Sequence, residues 1–240
     1  MIAHMNAIRA ALVLLAAAAL ALVLSPVAAQ NAAAPEEGAE GTQRTATDMV
    51  RTTSDAVLEL IDKSRGYAKE NPERFYREVE SLLSPVVDFE SFARSVMAVH
   101  YRNASEEQRQ RFAESFKWGL VRTYALALTD FRDGKVVVVP PDRPPRNPQR
   151  QTVTMEIHTK TGEVYPVLYS VVQEDDGAWQ IRNLIVNGVN MGLTYRNQFN
   201  SAMNDPKYGG DLDRVIAAWG ELLKSEPILD EVEAAGEQEA

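Results

Sequence analysis

The chain has 240 residues, no cysteine and a formal net charge of −9, with 34 acidic against 25 basic side chains. The missing cysteine excludes disulfides, thiolate chemistry and an acylated-cysteine lipoprotein anchor. The acidic balance argues against nucleic acid and against lying on an anionic bilayer, both of which call for clustered Lys and Arg.

Residues 1–29 begin weakly basic at His4 and Arg9, continue as an unbroken apolar run over 10–24, and end in the small residues Val27, Ala28 and Ala29 before Gln30. That order predicts a secretory signal peptide, cleaved near Ala29/Gln30, and an exported protein. A retained membrane anchor is the rival reading, because the apolar run approaches spanning length; alanine richness and the Ser25, Pro26 break favour cleavage. Residues 30–44 carry Ala, Glu, Gly and Pro without apolar period and read as a flexible lead-in. Residues 226–240 hold six acids and no base, a disordered acidic tail. The folded unit is therefore expected over 45–225, a length suited to one domain, or at most two.

The first half of that unit reads as helical. Met49, Val50, Val57, Leu58, Leu60 and Ile61 recur at helical spacing, with Gly66 near the stop. Asn71 and Pro72 open a second helix as cap and first-turn residue, Phe75, Val79, Leu82 and Leu83 form its apolar stripe, and Pro85 ends it. Asp88 caps a third helix carrying Phe89, Phe92, Val96 and Val99. Ser105 and Gln108 have the spacing of a capping box. After them Phe112, Phe116, Leu120, Tyr124 and Leu128 fall four apart, with Ala113 and Val121 widening the stripe.

At Asp133 and Gly134 the period changes from helical to extended. Residues 135–139 are β-branched, and 151–158 alternate, with Val153, Met155 and Ile157 on one face. Thr161 and Gly162 turn into 163–172, where Tyr165, Val167, Tyr169 and Val171 share a face; Asp175, Asp176 and Gly177 turn into 179–186. Tight turns join antiparallel neighbours. Pro140, Pro141, Pro144, Pro145 and Pro148 make the link between the first two strands an irregular surface connection, or, as a sharper alternative, a proline-rich ligand. Helical spacing returns over 191–203 and 211–223, the latter capped by Asp211. The fold class is α+β: helices packed on a four-stranded antiparallel sheet.

Little in the chain points to catalysis. His100 and His158 are the only histidines after residue 29, and nothing in the pattern brings them together or gives metal-binding spacing. Asp175 and Asp176 fit a turn, Asp88 and Glu90 a helix start, and no serine lies in a nucleophile elbow. Gly209 and Gly210 precede a helix but lack the lysine and strand of a phosphate cradle. No cofactor is implied. Read from its residues, the chain is an exported α+β binding module, with an Asp/His site hidden in a cavity as the open alternative.

Trp179, Gly188, Val189, Tyr195, Arg196, Gln198 and Phe199, in that order and spacing, resemble the signature of the periplasmic phospholipid carriers of the Mla pathway, the toluene-tolerance proteins. Val87, Asp88 and Phe89, and the run Ser105, Gln108, Arg109, Phe112, Phe116, Tyr124, are similar to that family's central helices, so the resemblance spans about 48–223. Asn183 stands where the family commonly has aspartate, Asn190 where it has serine, and Ala98 where it has glycine.

The resemblance implies a phospholipid-binding domain whose helices and sheet enclose an apolar lipid cavity. It also implies no catalysis, and a monomer that shuttles lipid across the periplasm of a Gram-negative bacterium to maintain outer-membrane lipid asymmetry. Its partners would be an inner-membrane ABC-type lipid transporter and an outer-membrane lipoprotein–porin complex. Each methylene costs about 0.8 kcal/mol in water, so some thirty cost roughly 24 kcal/mol, and a lipid needs a carrier to cross an aqueous gap. The wall candidates from the helices are Val96, Phe116, Leu120 and Tyr124. The strands add Val153, Met155, Ile157, Val167, Tyr169 and Ile181, and the last strand-to-helix turn adds Val189 and Met191. Arg182 and Arg196 are candidates to meet a phosphate at the mouth, or else ordinary surface arginines. Another apolar ligand, or a small cavity-based enzyme, is the alternative function.

Overall fold

The computed structural model describes residues 44–128, 135–159 and 162–223. The predicted signal peptide, the lead-in up to residue 43, Asp133, Gly134, Thr161 and the acidic tail lie outside the described residues.

Local capping sets the helix starts. Helix α1 (Ala46–Ser64) begins at Thr45, whose Oγ1 accepts from the Asp48 N–H at 3.1 Å while the Asp48 carboxylate accepts from the Thr45 N–H. Helix α2 (Pro72–Leu83) is capped by Asn71, which accepts from the Arg74 N–H at 3.2 Å, and α3 (Phe89–Met97) by Asp88, which accepts from the Ser91 N–H at 2.9 Å. The Ser105–Gln108 box closes in both directions at 2.9 and 3.1 Å to start α4 (Glu106–Leu128). These bonds satisfy amides that a helix start otherwise leaves open.

The third helix is shorter than its apolar spacing predicts. Ala98 takes φ 48°, which ends α3 and turns the chain into a 3-10 segment (Ala98–Arg102). Val99 is therefore not part of the buried stripe: it is 71% exposed.

The sheet also differs from expectation, with five strands rather than four. Strands β1 (Lys135–Val139), β2 (Arg150–His158), β3 (Val164–Gln173), β4 (Trp179–Val186) and β5 (Val189–Asn190) pair antiparallel in chain order. The two-residue β5 returns across Asn187 and Gly188, at φ 47° and 83°, with Val186 paired to Val189. An Asn-Gly pair is the preferred chemistry for such a turn, since both positions need positive φ. Helices α5 (Met191–Asn204) and α6 (Leu212–Leu222) follow, Asp211 capping α6 by accepting from the Asp213 and Arg214 N–H groups. The proline-rich link at 140–149 is irregular and exposed.

Two packed regions result. Helix α1 lies on the buried sheet face, where Ser54 Oγ and Tyr169 Oη each approach Met155 Sδ at 3.7 Å. Helices α3 to α6 enclose an aromatic cluster of Phe92, Phe112, Phe116, Tyr195, Phe199 and Trp219.

Candidate apolar cavity

Between these two regions lies an apolar cavity of about 50 Å³. Val79 and Leu83 of α2, Phe89 and Phe92 of α3, and Leu120, Val121, Tyr124 and Ala125 of α4 form its helical side. Ile181 and Leu184 of β4, Met191 and Tyr195 of α5, and Val87 complete it.

Backbone bonds hold those elements in place. The α2–α3 link is stitched to β4, with Asp88 N–H donating to the Ile181 carbonyl at 2.9 Å and Ile181 N–H to the Val86 carbonyl at 2.8 Å. That bridge fixes Val87 beside Ile181. At the other edge Asn190 caps α5, its Oδ1 accepting from the Leu193 N–H at 3.1 Å and from Asn183 Nδ2 at 3.0 Å. Asn183 Oδ1 in turn accepts from the Gly192 N–H at 3.0 Å. A Cβ on Gly192 would stand 2.6 Å from Asn183 Oδ1, so any larger residue here would displace the Asn183 side chain. Asn183 and Asn190 thus bond to each other and fix the start of α5, from which Met191 and Tyr195 line the cavity.

Among the described residues, the only side-chain oxygens or nitrogens in the lining are the Tyr124 and Tyr195 hydroxyls, which meet at 2.7 Å. Burial pushes Tyr124 up to about 12, against a smaller lowering by its hydrogen bond to Tyr195. Tyr195 is raised well above the ordinary phenol range, by burial first and then by its neighbour Tyr124. Both phenols are neutral donors at physiological pH.

Four predicted wall residues come together here: Leu120, Tyr124, Ile181 and Met191. Eight do not line this cavity. Phe116 packs inside the aromatic cluster, 5.1 Å from Phe92 and 5.5 Å from Tyr195 between ring centres. Val96 is fully buried on α3. Val153, Met155, Ile157, Val167 and Tyr169 are buried on the sheet face that α1 covers, and Val189 is half-buried in β5. The lining residues absent from the predicted set, Val79, Leu83, Phe89 and Phe92 among them, sit on recognised helical stripes, but spacing does not tell which stripe borders a gap.

The charged candidates are engaged elsewhere. Arg182 pairs with Asp88 at 3.0 Å and Glu174 at 2.7 Å, and Arg196 donates to the Ser95 carbonyl at 3.1 Å. His100 meets Asn200 and His158 meets Glu156. Among the described residues no group of three or more His, Asp or Glu is placed to hold a metal ion, and no helix is long and apolar enough to cross a membrane.

The model of the MlaC protein family matches residues 51–221. The chain belongs to the MlaC family. It is 36% identical over 189 residues to Toluene tolerance protein ttg2D of Pseudomonas putida, covering 78% of this chain and 86% of that one. The Intermembrane phospholipid transport system binding protein MlaC of Haemophilus influenzae is 26% identical over 90 residues, 38% of this chain and 42% of its own. The phospholipid-binding protein from Ralstonia solanacearum, solved in complex with a phospholipid, superposes with a TM-score of 0.61 at 26% identity, covering 80% of this chain and 98% of that one. The α+β architecture of this MlaC-family chain is shared with that phospholipid-binding protein.

Proposed function

We propose that this protein binds phospholipid acyl chains between its helices and sheet and carries the lipid through the periplasm, between outer and inner membranes, without chemical change. The observation that carries this reading is the apolar cavity, walled on five sides by α2, α3, α4, β4 and α5, in a family whose Ralstonia solanacearum homologue was solved with a phospholipid. On this reading the chain is exported by cleavage near Ala29/Gln30, acts as a monomer and helps maintain outer-membrane lipid asymmetry. It receives and delivers lipid at an outer-membrane lipoprotein–porin complex and an inner-membrane ABC-type transporter. Shielding acyl chains from water requires a dry apolar wall and no reactive group.

A volume of about 50 Å³ corresponds to a few water-sized groups at most. Two acyl chains need far more, so carriage requires elements that wall the cavity to move apart. Interiors are close-packed, and that space comes from moving whole elements rather than single side chains. Organic extraction of the purified protein followed by lipid mass spectrometry tests the reading. Stoichiometric diacyl phospholipid is the expected result; a different small molecule, or an extract without lipid from protein made in a phospholipid-replete cell, contradicts it.

A further inference from the structure

Among the described residues the cavity lining has one polar feature. Tyr124 and Tyr195 share a single hydrogen bond of 2.7 Å, and either oxygen can be the donor. Two phenols own two hydroxyl hydrogens, and one bond uses one of them. Whichever phenol donates, one O–H is left over, and among the described residues neither hydroxyl has another partner. The rest of the lining is aliphatic, phenyl or thioether and offers it no strong acceptor. A buried donor left unpaired is costly, so the arrangement favours a ligand that brings an acceptor to this point.

Building on the carrier reading above, we propose that the Tyr124–Tyr195 pair is the recognition element for the ester carbonyl of an acylglycerol phospholipid, the spare phenolic O–H donating to the carbonyl oxygen. A phospholipid offers two kinds of acceptor, ester carbonyl and phosphate. Among the described residues no Lys or Arg lines the cavity, and a phosphate drawn to the pair would leave a charge without a counter-ion in an apolar wall. The carbonyl is a neutral acceptor and carries no such penalty. The Tyr195 ring is held in place by edge contacts with Phe92 and Phe116 at 6.4 and 5.5 Å, and the residue is almost wholly buried. Tyr124, on α4, is only partly buried.

The hydrogen count gives an unusual mutational signature. Tyr124→Phe or Tyr195→Phe alone removes one hydroxyl and the bond together, so the surviving hydroxyl still has a free O–H. Only the double variant has no donor. The purified protein is incubated with vesicles containing equal amounts of diester and diether phosphocholine lipids of the same chain length, and the bound lipids are extracted and weighed by mass spectrometry. The wild type is expected to enrich the diester about fivefold, each single variant to keep most of that preference, and the double variant to bind both in equal amounts. Equal binding by the wild type, or an undiminished preference in the double variant, overturns the proposal. A wild type that takes up neither lipid overturns the carrier reading itself. If the double variant does not fold, infrared spectra of the wild type loaded with diester labelled at the carbonyl carbon decide instead. A carbonyl band shifted to lower frequency is expected, and a band at the free-ester position overturns the proposal.

Discussion

Helix α4 meets two different surroundings along one apolar stripe. At Phe112 and Phe116 it enters a closed aromatic cluster, with ring centres 4.8 Å from Phe199, 5.2 Å from Trp219 and 5.1 Å from Phe92. One and two turns later Leu120 and Tyr124 border the cavity instead. The reason is geometric. With about 3.6 residues per turn, side chains four apart advance by roughly 40° each step, so Phe112 and Tyr124 point about 120° apart. A single stripe thus serves two neighbours, one solid and one not. Amphipathic spacing marks a face as apolar without saying what covers it.

The sharpest test of that contrast is Phe116→Ala. In a closed cluster it leaves a hole that its neighbours cannot fill, and a loss of about 3–5 kcal/mol in denaturant unfolding is expected. A loss below about 1 kcal/mol would mean that the cluster is as loose as the cavity. Leu120→Trp probes the other end of the stripe. The added ring occupies space at the cavity, so delipidated protein should melt within a few degrees of wild type while retained phospholipid falls at least about tenfold. Overpacking of a solid core typically costs about 1–3 kcal/mol; destabilisation of that size in delipidated protein would place Leu120 with Phe116. Ala98→Gly belongs to neither region and serves as a control. It relieves a positive φ at the end of α3 and should stabilise by about 1 kcal/mol, with lipid content unchanged. A stabilised variant with altered lipid content would show that the α3 terminus is coupled to the cavity.

Much of the fold was legible because its signals are local. Asn71, Asp88, Ser105 and Asp211 each cap the helix that their position predicts, and the alternation of Val153, Met155 and Ile157 matches their burial on one face. The fifth strand had a local signal too, in the adjacent Asn187 and Gly188. The α3 end did not: nothing in the neighbourhood of Ala98 announces a positive φ. The cavity was only partly legible, since its lining depends on which stripes face one another. Met155 carries the same apolar pattern as Ile181, yet Met155 meets Ser54 of α1 while Ile181 stands at the gap. Helix placement of that kind comes from long-range packing that no single segment encodes.

The central claim is that acyl chains lie between α4 and β4 and not among the aromatic rings. It is tested most directly by loading the protein with a phospholipid bearing a photoreactive group along one acyl chain, irradiating, and locating the crosslinks by fragment mass spectrometry. The account predicts crosslinks at Val79, Leu83, Leu120, Ile181, Leu184 and Met191. Crosslinks concentrated at Phe112, Phe199 and Trp219, or confined to exposed surface residues such as Val99, would contradict it.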